Sequence, residues 1–570
     1  MEKDKLIEEM FKKGILISKE FLEKEGKEGI LTTLQTEADL LVLNSDYAEI
    51  VTEQTSLVDW YEIDKLKVAA EKDRDDDLYQ NQLQTFKKAS LVLHQIKDNY
   101  SQEQSSLEIE LNLIPVENTL KVASFSSIPS PPPETSLSPS PFLEVPSPFN
   151  TYPVNIVISY ENKPHKYEIK DFTNIFLSRY KFLEKILRTR PEISETLTSI
   201  GRVLGKKEKE TVSIIGMVEE ISQTKNGNVM LTLEDPTGKI KVLISKNHPD
   251  LLSEAKEVTE DEVIGISGMC GEKIIFADKI VWPDIPVTNV VKTCPEEIYA
   301  IFLSDFHVGS KLFCKEEFER FLQWIQGESG SASQREVAQK VKYIFIAGDL
   351  VDGVGIYPSQ EGELEIKEIR QQYAEFSKLI SRIPSDKKII VCPGNHDVVH
   401  LAEPQPAFYK EYAPNLFNVP NLILVTNPAL VNIAQSDNFP GFDVLLYHGY
   451  SFDYYINNVE SLRNNGGYRR ADLMMKFLLK RRHLAPSFTS TPYFPAHNED
   501  PLLIKKIPDF FLSGHIHYSK VANYKGVTLI CGSCWQGKTS FQEKMGHEPE
   551  PARVPLINLK TREVKILKFI

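Results

Sequence analysis

Cysteine is scarce, with six in 570 residues. That is too few for a disulfide framework and suits the cell interior. Cys531-x-x-Cys534 has no second pair to complete a zinc site, so both thiols are expected to be buried or half-buried rather than metal-bound. No apolar run reaches the ~18 residues of a membrane span. Met1 to Met10 is charged and lacks the apolar core of a secretory signal, so none is expected there. Basic charge is also short: 66 Lys and Arg face 80 Asp and Glu, a net charge of -14. A protein that grips nucleic acid unaided shows a basic surplus, because phosphate neutralisation supplies most of the affinity. Either the substrate is small, or something else holds the nucleic acid.

The length predicts three or four units. Residues 1–100 read as a helical module, from the broken helical spacing of Leu6, Met10, Phe11, Ile15, Ile17, Phe21 and Leu22 and from a charged stretch at Leu57 to Ile96. Residues 101–150 read as a disordered Pro/Ser-rich linker, with eight prolines between Ser124 and Phe149. An αβ extension is expected over 151–209. In it Val154 to Tyr160 is a strand, Tyr167 to Ile169 its hairpin partner, and Phe172 to Leu187 an amphipathic helix. Over 210–290, five short strands with a helical piece between the third and fourth predict an OB-fold β-barrel. Aromatic residues that could stack on bases are sparse on those strands; Phe276 is one. A packing platform is therefore as good a reading of the barrel as a nucleic-acid binder.

Over 291–570 apolar strands alternate with helical stretches, which predicts layered α/β structure. Five strands end in polar clusters: Ser304-Asp305-Phe306-His307, Gly348-Asp349-Leu350-Val351-Asp352, Gly394-Asn395-His396-Asp397, His448-Gly449 and Gly514-His515-Ile516-His517. Two divalent ions about 3.5–4 Å apart can clamp the attacking and leaving oxygens of a phosphoryl transfer. Such a site needs a bridging carboxylate and surrounding N and O donors. Asp305, Asp349 and Asn395 offer oxygens; His307, His448, His515 and His517 offer imidazoles. On an extended segment every second side chain shares a side, so Asp-x-His and His-x-His are expected to aim both ligands at one place. Five of the twelve histidines sit in these clusters. The other seven (His94, His165, His248, His400, His483, His497 and His547) read as ordinary loop or core residues. Mixed N/O ligation with an Asn carbonyl suits Mn²⁺, Fe²⁺ or Zn²⁺ more than Mg²⁺.

The ordered clusters resemble the calcineurin-like metallophosphoesterase superfamily, over roughly Ile298 to Ile570. The resemblance implies an αββα sandwich. It implies that Asp305, His307 and His517 bind one ion, that Asn395, His448 and His515 bind a second, and that Asp349 bridges them. His396 would stabilise the transition state and protonate the leaving oxygen, and the Asp352 carboxylate would orient His396.

The order of linker, helix, OB-like domain and phosphoesterase domain resembles the small subunits of archaeal family D DNA polymerases. So do Tyr447-His448-Gly449 and His483-Leu484-Ala485-Pro486 followed by Ser490-Thr491-Pro492. Eukaryotic replicative polymerase B-subunits share the last two domains but have lost the metal ligands, all of which are present here. The resemblance implies a 3′–5′ proofreading exonuclease with Mn²⁺ as the usual metal. It implies a large catalytic polymerase subunit as partner, a DNA primer end as substrate, and a cytoplasmic place at the replicating nucleoid. A stand-alone nuclease or phosphatase is the alternative, and a silent scaffold the second. Arg469, Arg470, Lys476, Lys480, Arg481 and Arg482 form a basic run that could guide single-stranded DNA, although such a run is more often a solvated helix face. Gln80-x-x-Leu83-x-x-Phe86 partly resembles a sliding-clamp-binding box, with Lys87 where a second aromatic belongs; ordinary helix surface is the other reading.

Overall fold

The computed structural model describes residues 152–570 except 161–165, 207–208, 288 and 496–498, together with the backbone at Leu16–Ile17 and Val42–Leu43. Contacts divide the chain into Met1–Ser138 and Pro139–Ile570. In the first unit β1 (Leu16–Ile17) and β2 (Val42–Leu43) pair in parallel. Ile17 is therefore in a strand, not a helix. Ile15-Leu16-Ile17 is a short apolar run whose periodicity does not distinguish the two. The remainder of the expected helical module, the linker, and Gln80, Leu83 and Phe86 lie outside the described residues.

In the second unit β3 (Val154–Ile158) does not form a hairpin with Tyr167–Ile169. It pairs antiparallel with β13 (Ala429–Ile433). The local reason is a capping box at Glu168 and Asp171, which starts α1 (Ile169–Leu187) where the hairpin arm was expected. The distant reason is that β3 covers an otherwise open sheet edge.

Helices α2 (Pro191–Ser194) and α3 (Ile200–Leu204) lead into β4 (Thr211–Gln223), β5 (Val229–Asp235), β6 (Gly238–Ile244), α4 (Pro249–Ala255), β7 (Val263–Cys270) and β8 (Ile274–Val281). The strands close into a barrel of order β4-β5-β6-β8-β7, as expected for an OB-fold. Hairpin turns between neighbouring strands make this pattern readable locally. Ile214, Leu231, Val242, Ile266 and Ile275 fill the barrel.

The sandwich contains β9 (Tyr299–Leu303), α5 (Lys315–Ile325), α6 (Ala332–Lys340), β10 (Val341–Ala347), α7 (Ile369–Ile380), β11 (Lys388–Cys392) and β12 (Leu422–Leu424). After β13 come β14 (Phe442–Leu446), α8 (Phe452–Asn458), α9 (Glu460–Asn464), α10 (Ala471–Arg481), β15 (Phe510–Ser513), β16 (Lys520–Tyr524), β17 (Val527–Cys531), α11 (Ser540–Met545), β18 (Arg553–Asn558) and β19 (Val564–Lys568). One sheet runs β12-β11-β10-β9-β18-β19 and the other β16-β17-β15-β14-β13-β3.

Side-chain alternation along the strands builds the layers. In β9, Ala300 and Phe302 pack between the sheets with Phe345, Val444 and Phe510. Tyr299, Ile301 and Leu303 face the helices, meeting Phe318 and Phe321 of α5 and Phe376 of α7. The second sheet is covered by α8 and α10 through Tyr455, Met475 and Leu478. Strands β9, β10 and β11 are mutually parallel, as are β14 and β15, so their carboxyl ends deliver the five polar clusters to one end of the sandwich. No helix of the described residues is long and apolar enough to cross a membrane.

Candidate metal centre

The turn after β9 is laced to the turn after β10. Asp305 N donates to Gly348 O (3.0 Å), and Phe306 N and His307 N both donate to Asp349 O (2.7 and 3.1 Å). Asp305, His307, Asp349, His515 and His517 all have φ between +52° and +69°. L-residues rarely adopt this left-handed conformation, which costs about 1–2 kcal/mol each. The expected extended geometry for Asp-x-His and His-x-His is therefore not what aims the side chains. In each motif the two ligand positions, but not the residue between them, are left-handed. The glycines beside the ligands are required by proximity. A Cβ on Gly394 would collide with Asp349 Oδ1, and one on Gly514 would lie 2.5 Å from Asp305 Oδ2.

All seven expected ligands come together. Donor atoms of Asp305, His307 and His517 lie within 4.8 Å of one another, as do those of Asp305, Asp349 and His448, and of His307, Asp349 and His396. Asp305, His307 and Asp349 each belong to two of the three groups. Asn395 Oδ1 faces His448 Nε2 and His515 Nδ1, each at 2.9 Å. His307 Nε2 faces His517 Nε2 at 3.0 Å.

The electrostatics suit a cation. Burial alone would lower the His448 pKa, but the Asp349 and Asp305 carboxylates outweigh it and push it up to about 10. Burial would raise Asp349, yet His448 and His396 hold it well below the usual carboxylate range. Burial and the nearby His396 lower His307, favouring the neutral imidazole that a ligand needs. A pocket whose carboxylates keep a proton on His448 this firmly has the field and the donor types for divalent ions.

Outer contacts orient these donors. His448 Nδ1 donates to Ala347 O (2.7 Å), which turns Nε2 inward. His515 Nε2 meets Asp453 Oδ2 of α8 (2.9 Å), and His517 Nδ1 meets Gln542 of α11 (2.9 Å). Asp352 departs from expectation. Its carboxylate accepts from His307 Nδ1 (3.1 Å), Gln536 (2.8 Å) and Gln360 (3.1 Å). Only its main-chain carbonyl reaches His396 Nδ1 (2.7 Å). The turn after β10 presents its carbonyl, not its side chain, to the loop after β11. Asp397 pins that loop by accepting from Gly394 N and Tyr373 Oη, and burial pushes its pKa up to about 7.

Sequence reasoning missed Asp453, Gln360, Gln536 and Gln542. An acid five residues beyond His448 was a usable signal for Asp453; the glutamines carried none. His547, read as an ordinary residue, lines the cavity over the centre. Cys531 and Cys534 are buried free thiols, facing the carbonyls of Gly514 and His517.

The basic run is not one surface. Arg481 is 1% exposed, ion-paired with Glu262 of the barrel at 2.5 Å and stacked on Phe477. Arg482 is buried, its guanidinium donating to Ile504 O (2.9 and 2.8 Å) and Lys505 O (3.0 Å). Neither can guide a DNA strand, because α10 turns that end against the barrel. Lys480 lies over the Trp282 ring at 3.7 Å, and Lys476 over Tyr524 at 5.4 Å. Arg470 is held by Asp472 (2.8 Å) and Arg469 by Glu548 (3.0 Å), both arginines partly exposed. Arg469 thus reaches a residue adjacent to the cavity-lining His547.

Residues 299–519 match the calcineurin-like phosphoesterase family, and residues 212–273 match an OB-fold nucleic acid binding domain. Among curated proteins, the DNA polymerase II small subunit of Pyrococcus furiosus is 38% identical over 70% of this chain and 64% of its own length. That of Methanothermobacter thermautotrophicus is 38% identical over 70% of this chain and 80% of its own length. That of Archaeoglobus fulgidus is 39% identical over 68% and 74%. A solved asparaginyl-tRNA synthetase from Pyrococcus horikoshii matches 15% of this chain and 22% of its own at 16% identity, with a TM-score of 0.14, too slight to carry an argument. The aligned span and identity to the curated relatives establish that the chain belongs to the DNA polymerase II small subunit family.

Proposed function

We propose that this chain is a metal-dependent 3′–5′ exonuclease that hydrolyses DNA phosphodiester bonds and scaffolds a separate large polymerase subunit. The observation that carries the proposal is the complete donor set around Asp349, with His396 beside it. The polarity rests on the family resemblance. The partner rests on the relatives' description as small subunits and on the net charge of -14, which leaves most of the DNA grip to another chain.

Asp305, His307 and His517 would hold one divalent ion and Asn395, His448 and His515 the other, with Asp349 shared. Mn²⁺ is the proposed metal. Two such ions supply Lewis-acid activation of the phosphodiester and lower the pKa of the attacking water. The protein's own groups do the rest. His396 Nδ1–H is engaged by Asp352 O, so Nε2 is the nitrogen left for the substrate. Protonated, it stabilises charge building on the phosphoryl oxygens and then gives its proton to the departing oxygen. The Asp352 carboxylate keeps His307 in the tautomer whose Nε2 is a lone-pair donor. Of the basic run, Arg469 and Arg470 remain as candidates to meet the strand.

His396→Ala is expected to lower Mn²⁺-dependent digestion of 3′-ended single-stranded DNA by about 10²–10⁴-fold, with co-purification of the large subunit unchanged. Full nuclease activity in that variant would refute the assignment.

A further inference from the structure

The cleft above the ligands encloses about 730 Å³, and no Lys or Arg is among the described residues lining it. Part of its wall is apolar instead. Val354, Ile356, Leu401 and Phe541 line it while 49%, 41%, 40% and 40% exposed. Gly353 and Gly355 in the same loop are each at φ +76°.

Tyr357 follows that loop, and its ring stacks on Phe541 at 5.2 Å between centroids and 23° between planes. One carboxylate ties the two segments that carry these rings. Glu363 accepts from the Tyr357 hydroxyl (2.9 Å) and from the Ser540 hydroxyl next to Phe541. The pair is also tied to the chemistry. The Tyr357 centroid is 6.4 Å from that of His396, and Gln542, one residue after Phe541, bonds His517.

We propose that Tyr357 and Phe541 form a stacking platform for the terminal nucleobase of an unpaired DNA end; this rests on the exonuclease reading above. Every base has a π face, so stacking tolerates any sequence and needs no cation in the cleft. A base inside a duplex has both faces covered and must first leave the stack. The platform therefore favours frayed or single-stranded ends and sets the scissile phosphodiester beside His396. Tyr357 and Phe541 are positioning residues: they act on the base, not on the reacting atoms.

The test uses the full chain carrying His396→Ala, with Mn²⁺ and a single-stranded oligodeoxynucleotide ending in 2-aminopurine. Binding should quench the 2-aminopurine fluorescence. Adding Phe541→Leu should abolish the quenching, and Phe541→Trp in its place should restore it. Quenching that is absent at the start, or unaffected by Phe541→Leu, overturns the platform. In the otherwise native chain, Phe541→Leu should raise KM for the natural oligonucleotide about tenfold, with kcat moving less than about threefold. For an oligonucleotide with an abasic terminal sugar, native and variant KM should coincide. An equal KM rise on the abasic end also overturns the proposal. If the native chain cleaves no DNA at all, the exonuclease reading fails, while the fluorescence result still decides the platform.

Discussion

Two regions of this molecule bury charge, and they do it in opposite ways. At the seam between barrel and sandwich, each buried cation has a protein acceptor. Arg481 pairs with Glu262, Arg179 with Asp500 at 2.7 Å, and Arg482 with main-chain carbonyls. At the metal centre, donors face donors. Two imidazole nitrogens meet at 3.0 Å, an Asn carbonyl meets two more, and Asp305 and Asp349 share one pocket with His448. The seam is balanced by its own residues. The centre, with five ligand residues in the left-handed region, crowds potential metal donors together at a cost in backbone strain. Charged residues in a sequence thus point to function when their partners are of like kind, and to structure when they are complementary.

The contrast is broken most severely by crowding the centre. Gly394→Ala would drive a methyl group into Asp349 Oδ1. It should lower exonuclease turnover on the order of a thousandfold, with Mn²⁺ content falling in parallel. Native turnover would remove Asp349 from its central role.

At the seam the expected loss is in stability. Arg481→Ala leaves Glu262 buried and unpaired and should cost about 3–5 kcal/mol in urea unfolding. Pairing Arg481→Met with Glu262→Leu should recover most of it. A raised KM at unchanged stability would instead return Arg481 to a DNA-guiding role.

Glu403 sharpens the comparison, because its burial outweighs the lowering pull of the Thr491 and Tyr447 hydroxyls and of the His448 and His515 imidazoles. Its carboxylate has the Tyr447 hydroxyl (3.0 Å) and the Asn427 amide (3.5 Å), and burial pushes its pKa from 4.5 to about 7. Asp500, by contrast, is held far below its usual range despite burial, by His483 and Arg179. The folded state keeps the Glu403 proton that the unfolded chain gives up near pH 4.5. That contribution to stability is full below pH 4.5 and fades as pH rises through about 7, a total of roughly 3 kcal/mol. Glu403→Gln should flatten this part of a thermal-denaturation profile; an unchanged slope would assign it to other groups.

These regions were not equally legible in the sequence. The metal ligands lie within four residues of apolar strand ends, so the chemistry and the position coincided locally. The barrel strands could be read for the same reason, since hairpins join neighbours such as β5 and β6. What escaped was set by distance. The partner of β3 lies some 270 residues onward in β13. Gln536 reaches Asp352 from 184 residues away. Arg481 read as a free cation because nothing near it in sequence reveals that Glu262 waits across a domain seam. Asp352 was matched to His396 by motif, whereas the fold gives its carboxylate to His307 and only its carbonyl to His396.

The most direct measurement of the central claim is electron paramagnetic resonance of the full chain during titration with Mn²⁺. Two ions per chain giving a spin-coupled spectrum, with the coupling lost in Asp349→Ala, is the predicted result. A single uncoupled ion at saturation, or coupling that survives without Asp349, would contradict a two-metal centre bridged by that carboxylate.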